Sequence, residues 1–291
     1  MNRTPKYMVA AAGWCVVAFG VLLALAYYVP PAQYLDAAAL HGFVAVGRSQ
    51  LADVATVLAH LCDPLPYALA GLVTIAIATR NRGPRTAAAI TILLVGANAT
   101  SQLLKPLLAH HRELYHTQFH LYNIRPAAFP SGHSTAAMTL ALAVLIVVPR
   151  SYRPLAAALG ALFTVAVSFS VLLLEWHFPS DVVGGYLIAT TFGLATFAAL
   201  RYADERWPER GTVRKAARNA IHAPSPAAIA RTVLALAVVA SLIAASRAHQ
   251  IASFAERHTA FVAVASAIAV AATVLLAAVA AISSTGRSSS G

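Results

Sequence analysis

Lys105 with Arg112, the run Pro130-Ser131-Gly132-His133, and the stretch Glu175-Trp176-His177-Phe178-Pro179-Ser180-Asp181 place polar and charged groups at the ends of long apolar segments. Their types suggest anion chemistry. An arginine offers a planar fork and a lysine a point charge, so the first pair can clamp a phosphoryl group; each alone would equally suit snorkelling at a helix end. In the second run, Gly132 lets the backbone approach a ligand, Ser131 can cap a helix, and the free N–H groups of a helix start favour an anion. His133 at that spot can hand a proton to an oxygen leaving a bound phosphate. His177 and Asp181 stand four apart, and a carboxylate that holds one imidazole nitrogen leaves the other free as base or nucleophile. The bland alternatives are a capped helix start, an interfacial histidine and a structural His-Asp pair.

These residues need long apolar helices to hold them. Of the 291 residues, 59% are hydrophobic and 11% charged, less than half the ~25% charged content of an ordinary soluble domain. A bilayer core of ~30 Å takes about 20 apolar residues per helical crossing. With no β-barrel alternation, the expected class is all-α, a polytopic membrane helical bundle. The apolar runs predict spans over residues 8–29, 64–79, 86–104, 134–148, 155–174, 182–200, 229–245 and 260–282. Residues 33–61 carry Asp36, His41, Arg48, Asp53 and His60 among Ala and Leu, which reads as an amphipathic helix lying at the outer surface. Asp63-Pro64 reads as an N-cap followed by proline in the first turn. A basic linker over 201–228 separates a six-span core, residues 1–200, from two further spans within 229–291; a polar turn is expected between those two.

The net charge of +11 reflects topology. With the N-terminus inside, 15 of the 21 Lys and Arg fall on one side and 6 on the other, the positive-inside pattern. Both termini are then cytoplasmic, and the polar loop 105–133 and the turn 175–181 share the outer face. No basic stripe with interleaved aromatics is present, so a nucleic-acid partner is not expected. Cys15 and Cys62 read as small buried hydrophobes. The basic start MNRTPKYM precedes an apolar run too long for a signal-peptide core, hence an uncleaved first span.

Taken jointly, the spacing is far more specific than its parts. Lys105, six residues, Arg112; then Pro130-Ser131-Gly132-His133; then Ser170 with His177 and, after three residues, Asp181: this resembles the type 2 phosphatidic acid phosphatase (PAP2) family, the integral-membrane lipid phosphatase branch, over about residues 60–200. The resemblance implies that His177 attacks phosphorus to form a phosphohistidine, with Asp181 holding its ring. It implies that His133 protonates the leaving group, and that Lys105, Arg112, Ser131 and Gly132 hold the phosphoryl oxygens. Two positions depart from the family pattern: Glu113 stands in place of a proline, and Val171 in place of the third motif's arginine. Arg125, in the same outer loop, is the candidate substitute for that cation.

The histidines at 110, 111, 116 and 120 raise a metal alternative. His116 and His120 could share an ion, but without Cys or Asp beside them they read as residues of an interfacial headgroup pocket. The expectation is therefore metal-independent, cofactor-free hydrolysis of a phosphomonoester or pyrophosphate on a membrane lipid at the extracytoplasmic face of a cytoplasmic membrane. Polyprenyl pyrophosphate, phosphatidic acid and phosphatidylglycerol phosphate all suit. The rivals are lipid-to-lipid phosphotransfer by the same site and a lipid-binding or transport protein whose site has decayed. The C-terminal spans are candidates for a homo-oligomer interface. Bias toward Ala, Val and Arg implies a GC-rich bacterial source.

Overall fold

A computed structural model of the chain describes residues 4–47, 51–112, 124–207 and 248–284. Ten α-helices fall within these residues: α1 Thr4–Tyr28, α2 Pro30–Gly47, α3 Leu51–His60, α4 Pro64–Arg82, α5 Pro84–Leu107, α6 Gly132–Val147, α7 Arg153–Leu173, α8 Pro179–Arg206, α9 Ala248–Arg257 and α10 Thr259–Ser284. The protein is a multi-pass helical membrane protein. Five helices (α1, α5, α7, α8 and α10) are long and apolar enough to cross a bilayer, and α3 with α4 would make a sixth crossing bent by 54°. The expected fourth span is the shorter α6, and the expected span 229–245 lies outside the described residues.

Helix α6 forms the centre, packed by α4, α5, α7 and α8. Nearly every residue from Gly132 to Ile146 is buried, which is why its sequence is apolar all round instead of striped. Its small side chains let neighbours approach closely. Several polar groups inside are satisfied across helices: Tyr186 donates to Ser168 at 2.8 Å, Ser168 to Ser134 at 3.1 Å, and Asn98 to Tyr67 at 2.6 Å. Helix α1 lies along α8, turning Trp14, Val17 and Val21 outward toward lipid and burying Met8, Ala12 and Cys15. Cys15 and Cys62 are both buried and free.

Two expectations need correcting. Residues 33–61 are not one surface helix: α2 packs into the bundle against α7 and α10, burying Asp36, Ala37, Leu40, Phe43 and Val44, and α3 packs on α7. The apolar face has helical spacing, but its partners are remote in sequence, so its polar residues alone suggested a surface. The turn before the last span is the helix α9, whose Phe254 meets His258 and Phe261 at ring-centroid distances of 4.3 and 5.6 Å. Helix α10 is held by its own stripe, Ile268, Ala272, Leu276 and Val279, at a 3.6-residue repeat.

At one end of the bundle, arginines cap helix C-termini. Arg82 donates to the Val147 and Val148 carbonyls at 2.9 and 2.6 Å, closing α6. Arg85 reaches the Trp207 carbonyl at 2.9 Å, closing α8. Arg153 and Arg201 both donate to the Ser283 carbonyl at the end of α10. These side chains satisfy carbonyls that lack intrahelical donors and oppose the negative helix ends. Lys105, His133 and His177 lie at the opposite end.

Candidate active site

The third polar stretch is aimed by the way α7 stops. Glu175 takes φ 57°, its N–H donates to the Leu172 carbonyl at 3.0 Å, and Trp176 N–H donates to the Val171 carbonyl at 2.9 Å. This is a Schellman ending with a non-glycine residue in the left-handed position. It reverses the chain so that Trp176 and His177 fold back over the bundle end. Pro179 then starts α8 in the first turn, where its missing N–H costs nothing.

Asp181 sits fully buried in that first turn. Its Oδ2 accepts from the Phe178 N–H at 2.9 Å and lies 3.5 Å from His177 Nδ1. The latter gap exceeds a formed hydrogen bond, although catalytic contacts of this kind often tighten only once substrate binds. His177 Nδ1 has no other partner among the described residues. The carboxylate therefore faces one ring nitrogen and leaves Nε2 for chemistry. The His177 side chain is 7% exposed.

The second motif is tied to the third through backbone. Ser131 N–H donates to the Asp181 carbonyl at 2.9 Å, and Ser131 Oγ accepts from Ser134 N–H at 3.3 Å, capping α6. Helix α8 can lie this close because of Gly185: a Cβ there would stand 2.7 Å from the Ser131 carbonyl oxygen. The Gly132 and His133 N–H groups, first in α6, have no intrahelical acceptor and remain for an anion. Lys105 joins them, with Nζ 3.5 Å from where a Gly132 Cβ would be. Gln102, one turn earlier on α5, is nearer still at 2.8 Å. Nothing in the sequence singled out Gln102 beyond its spacing from Lys105. The His133 and His177 rings lie 6.5 Å apart, centroid to centroid, inclined at 63°.

Arg112, expected to hold phosphoryl oxygens, is engaged with protein groups in this structure. It is buried, with Nη2 2.9 Å from Asp181 Oδ1, Nη1 2.9 Å from Asp36 Oδ2 and 3.1 Å from Ser180 Oγ. Its guanidinium is stacked between the rings of Phe178 and Tyr27, 4.4 and 5.0 Å from their centroids. Asp36, missed as a site residue, also accepts from Ser180 N–H at 2.9 Å and Ser180 Oγ at 2.6 Å. A carboxylate from α2 thus serves the start of α8.

The other candidates separate clearly. Arg125 is exposed, not drawn into the paired cluster. Val171 is fully buried in the apolar core. His110 stacks on Tyr27 at 4.7 Å. His116, His120 and Glu113 lie outside the described residues. Among the described residues, no three His, Cys, Asp or Glu side chains are grouped to hold a metal ion.

Fold and site together define a polytopic membrane enzyme with two facing histidines, one backed by a carboxylate, beside a helix N-terminus and a lysine. Residues 83–205 match the family model of the PAP2 superfamily. The fold is similar to the crystal structure of the first transmembrane PAP2 type phosphatidylglycerolphosphate phosphatase from Bacillus subtilis, with 20% sequence identity and a TM-score of 0.53, covering 72% of this chain and 100% of that chain. No curated protein matches the sequence.

Proposed function

We propose that this protein hydrolyses a phosphomonoester or pyrophosphate carried by a membrane lipid, through a phosphohistidine on His177. The observation that carries this reading is the facing of two imidazoles, His177 backed by Asp181 and His133 at the start of α6. His177 Nε2 attacks phosphorus as the bond to the leaving oxygen breaks, and His133 gives that oxygen its proton. Water then attacks the phosphohistidine, His133 takes the proton back, and phosphate leaves. Lys105 and the free N–H groups of Gly132 and His133 hold the phosphoryl oxygens as charge develops. Ser131 shapes this cradle as the cap of α6.

A lipid is the substrate class because the site lies at the ends of apolar helices, where a chain can remain in hydrocarbon while its headgroup reaches the histidines. Phosphatidylglycerol phosphate, phosphatidic acid and polyprenyl pyrophosphate fit this description. The arginine-capped end supports a cytoplasmic assignment for that side, with both termini, and an extracytoplasmic one for the site, in a bacterial cytoplasmic membrane. Residues 1–200 form the catalytic core in this reading, 201–228 a basic linker and 229–291 an accessory pair of helices.

The test is phosphate release by the detergent-purified protein from these three lipids, with His177→Ala and EDTA as comparisons. Release that is lost in the variant and insensitive to chelator, with an acid-labile phosphoryl label on wild type alone, is the expected result. Label passing to a second lipid with little free phosphate would make the protein a phosphotransferase. Binding without turnover, surviving His177→Ala, would make it a decayed site.

A further inference from the structure

Asp63 occupies the N-cap position of α4, yet its side chain makes no capping hydrogen bond there. An aspartate at an N-cap ordinarily accepts from the first-turn N–H groups. Here the carboxylate turns away to two imidazoles, with Oδ2 2.6 Å from His60 Nδ1 and Oδ1 3.1 Å from His133 Nε2. The Trp176 ring closes the same cluster, 5.5 Å from the His133 ring and 6.1 Å from the His60 ring. Although desolvation pushes the Asp63 carboxyl upward, the hydrogen bonds from His60 and His133 outweigh it and hold the group below the usual carboxylate range.

We propose that Asp63 is a positioning residue for the proton donor of the reaction, fixing the His133 ring with Nε2 toward the carboxylate and Nδ1 toward the leaving oxygen. The proposal rests on the hydrolase reading above. His133 stands at the mouth of α6, ahead of the apolar run that begins at Ser134. The groups facing it come from three other elements: Asp63 from the turn before α4, His177 from the turn before α8, and Lys105 from α5. His60 lies behind Asp63, on the exposed side. Burial, His177 and Lys105 all disfavour a proton on His133; Asp63 is the group that opposes them. A general acid must be protonated to work, so its activity falls as pH rises through its pKa. Removing Asp63 lowers that pKa and moves the alkaline limb of the rate profile to lower pH.

The experiment compares wild type, Asp63→Asn, Asp63→Glu and His60→Gln as full-length proteins in detergent, reading kcat and KM across pH and the His133 ring titration by NMR. For Asp63→Asn, kcat near neutrality falls about tenfold with KM little changed, and the alkaline limb and the His133 titration both move down by about one pH unit. Asp63→Glu keeps the charge and holds the limb near its wild-type position. Superimposable profiles and titrations for wild type and Asp63→Asn would overturn the proposal. Should Asp63→Asn not fold, Asp63→Ser takes its place and is read in the same way: an alkaline limb and a His133 titration unmoved from wild type would overturn the proposal, as would a His60→Gln variant, which leaves the Asp63 charge in place, that shifts both as far as loss of Asp63 does. A wild type inactive on every lipid would sink the hydrolase reading instead, and a His133 titration indifferent to Asp63 would sink this proposal separately.

Discussion

Arg112 Nη2 donates to Asp181 Oδ1 at 2.9 Å, on the oxygen that does not face His177. One carboxylate is thereby held from two sides, by the guanidinium on one oxygen and by the Phe178 N–H on the other. Arg112 is in turn anchored by Asp36 at 2.9 Å. The arginine spaced like a phosphate ligand thus fixes the carboxylate that faces His177.

Removing Asp36 leaves a buried guanidinium short of a counter-charge, and breaking such a pair costs about 3–5 kcal/mol. Asp36→Ala is expected to lower the melting temperature in detergent and to cut phosphate release more than tenfold. Asp36→Asn, which retains an acceptor for the Ser180 N–H, is milder on both counts. Thermal unfolding beside turnover checks this; equal loss in the two variants would contradict the anchoring role.

Gly185→Ala places a methyl 2.7 Å from the Ser131 carbonyl, against backbone that cannot swing aside. Overpacking of this kind costs about 1–3 kcal/mol. Because the push separates the α6 start from the α8 start, activity should fall further than stability alone explains. A stable variant with full turnover would argue against this coupling.

Val171→Arg restores the family's residue on paper but should yield little folded protein. The position is fully buried and closes the Schellman turn that aims His177. A charge buried there without a partner costs several kcal/mol. Size-exclusion profiles and yield decide; a monodisperse, more active variant would refute the prediction.

Arg125→Ala is expected to act on encounter. An exposed cation attracts anionic lipid phosphate over a distance that salt screens. KM should rise a few-fold at low salt, converge with wild type at high salt, and leave kcat unchanged. A fallen kcat would instead place Arg125 against the reacting phosphate.

By itself the sequence determined the helical membrane class, most of the spans, and the pairing of Lys105, His133, His177 and Asp181, because hydropathy, helix starts and i,i+4 spacing are local properties. Ser131 as a cap and Pro179 as a helix start were legible for the same reason. Tertiary structure decided which groups meet. Asp36 and Ser180 lie 144 residues apart, so no local pattern could show a carboxylate from α2 serving the start of α8. Asp63 looked like an ordinary cap until packing set His133 beside it. The spacing alone could not show that Val171 is fully buried in the core. Charge type and spacing are written along the chain, whereas the partner that neutralises a buried charge is chosen only when remote helices pack.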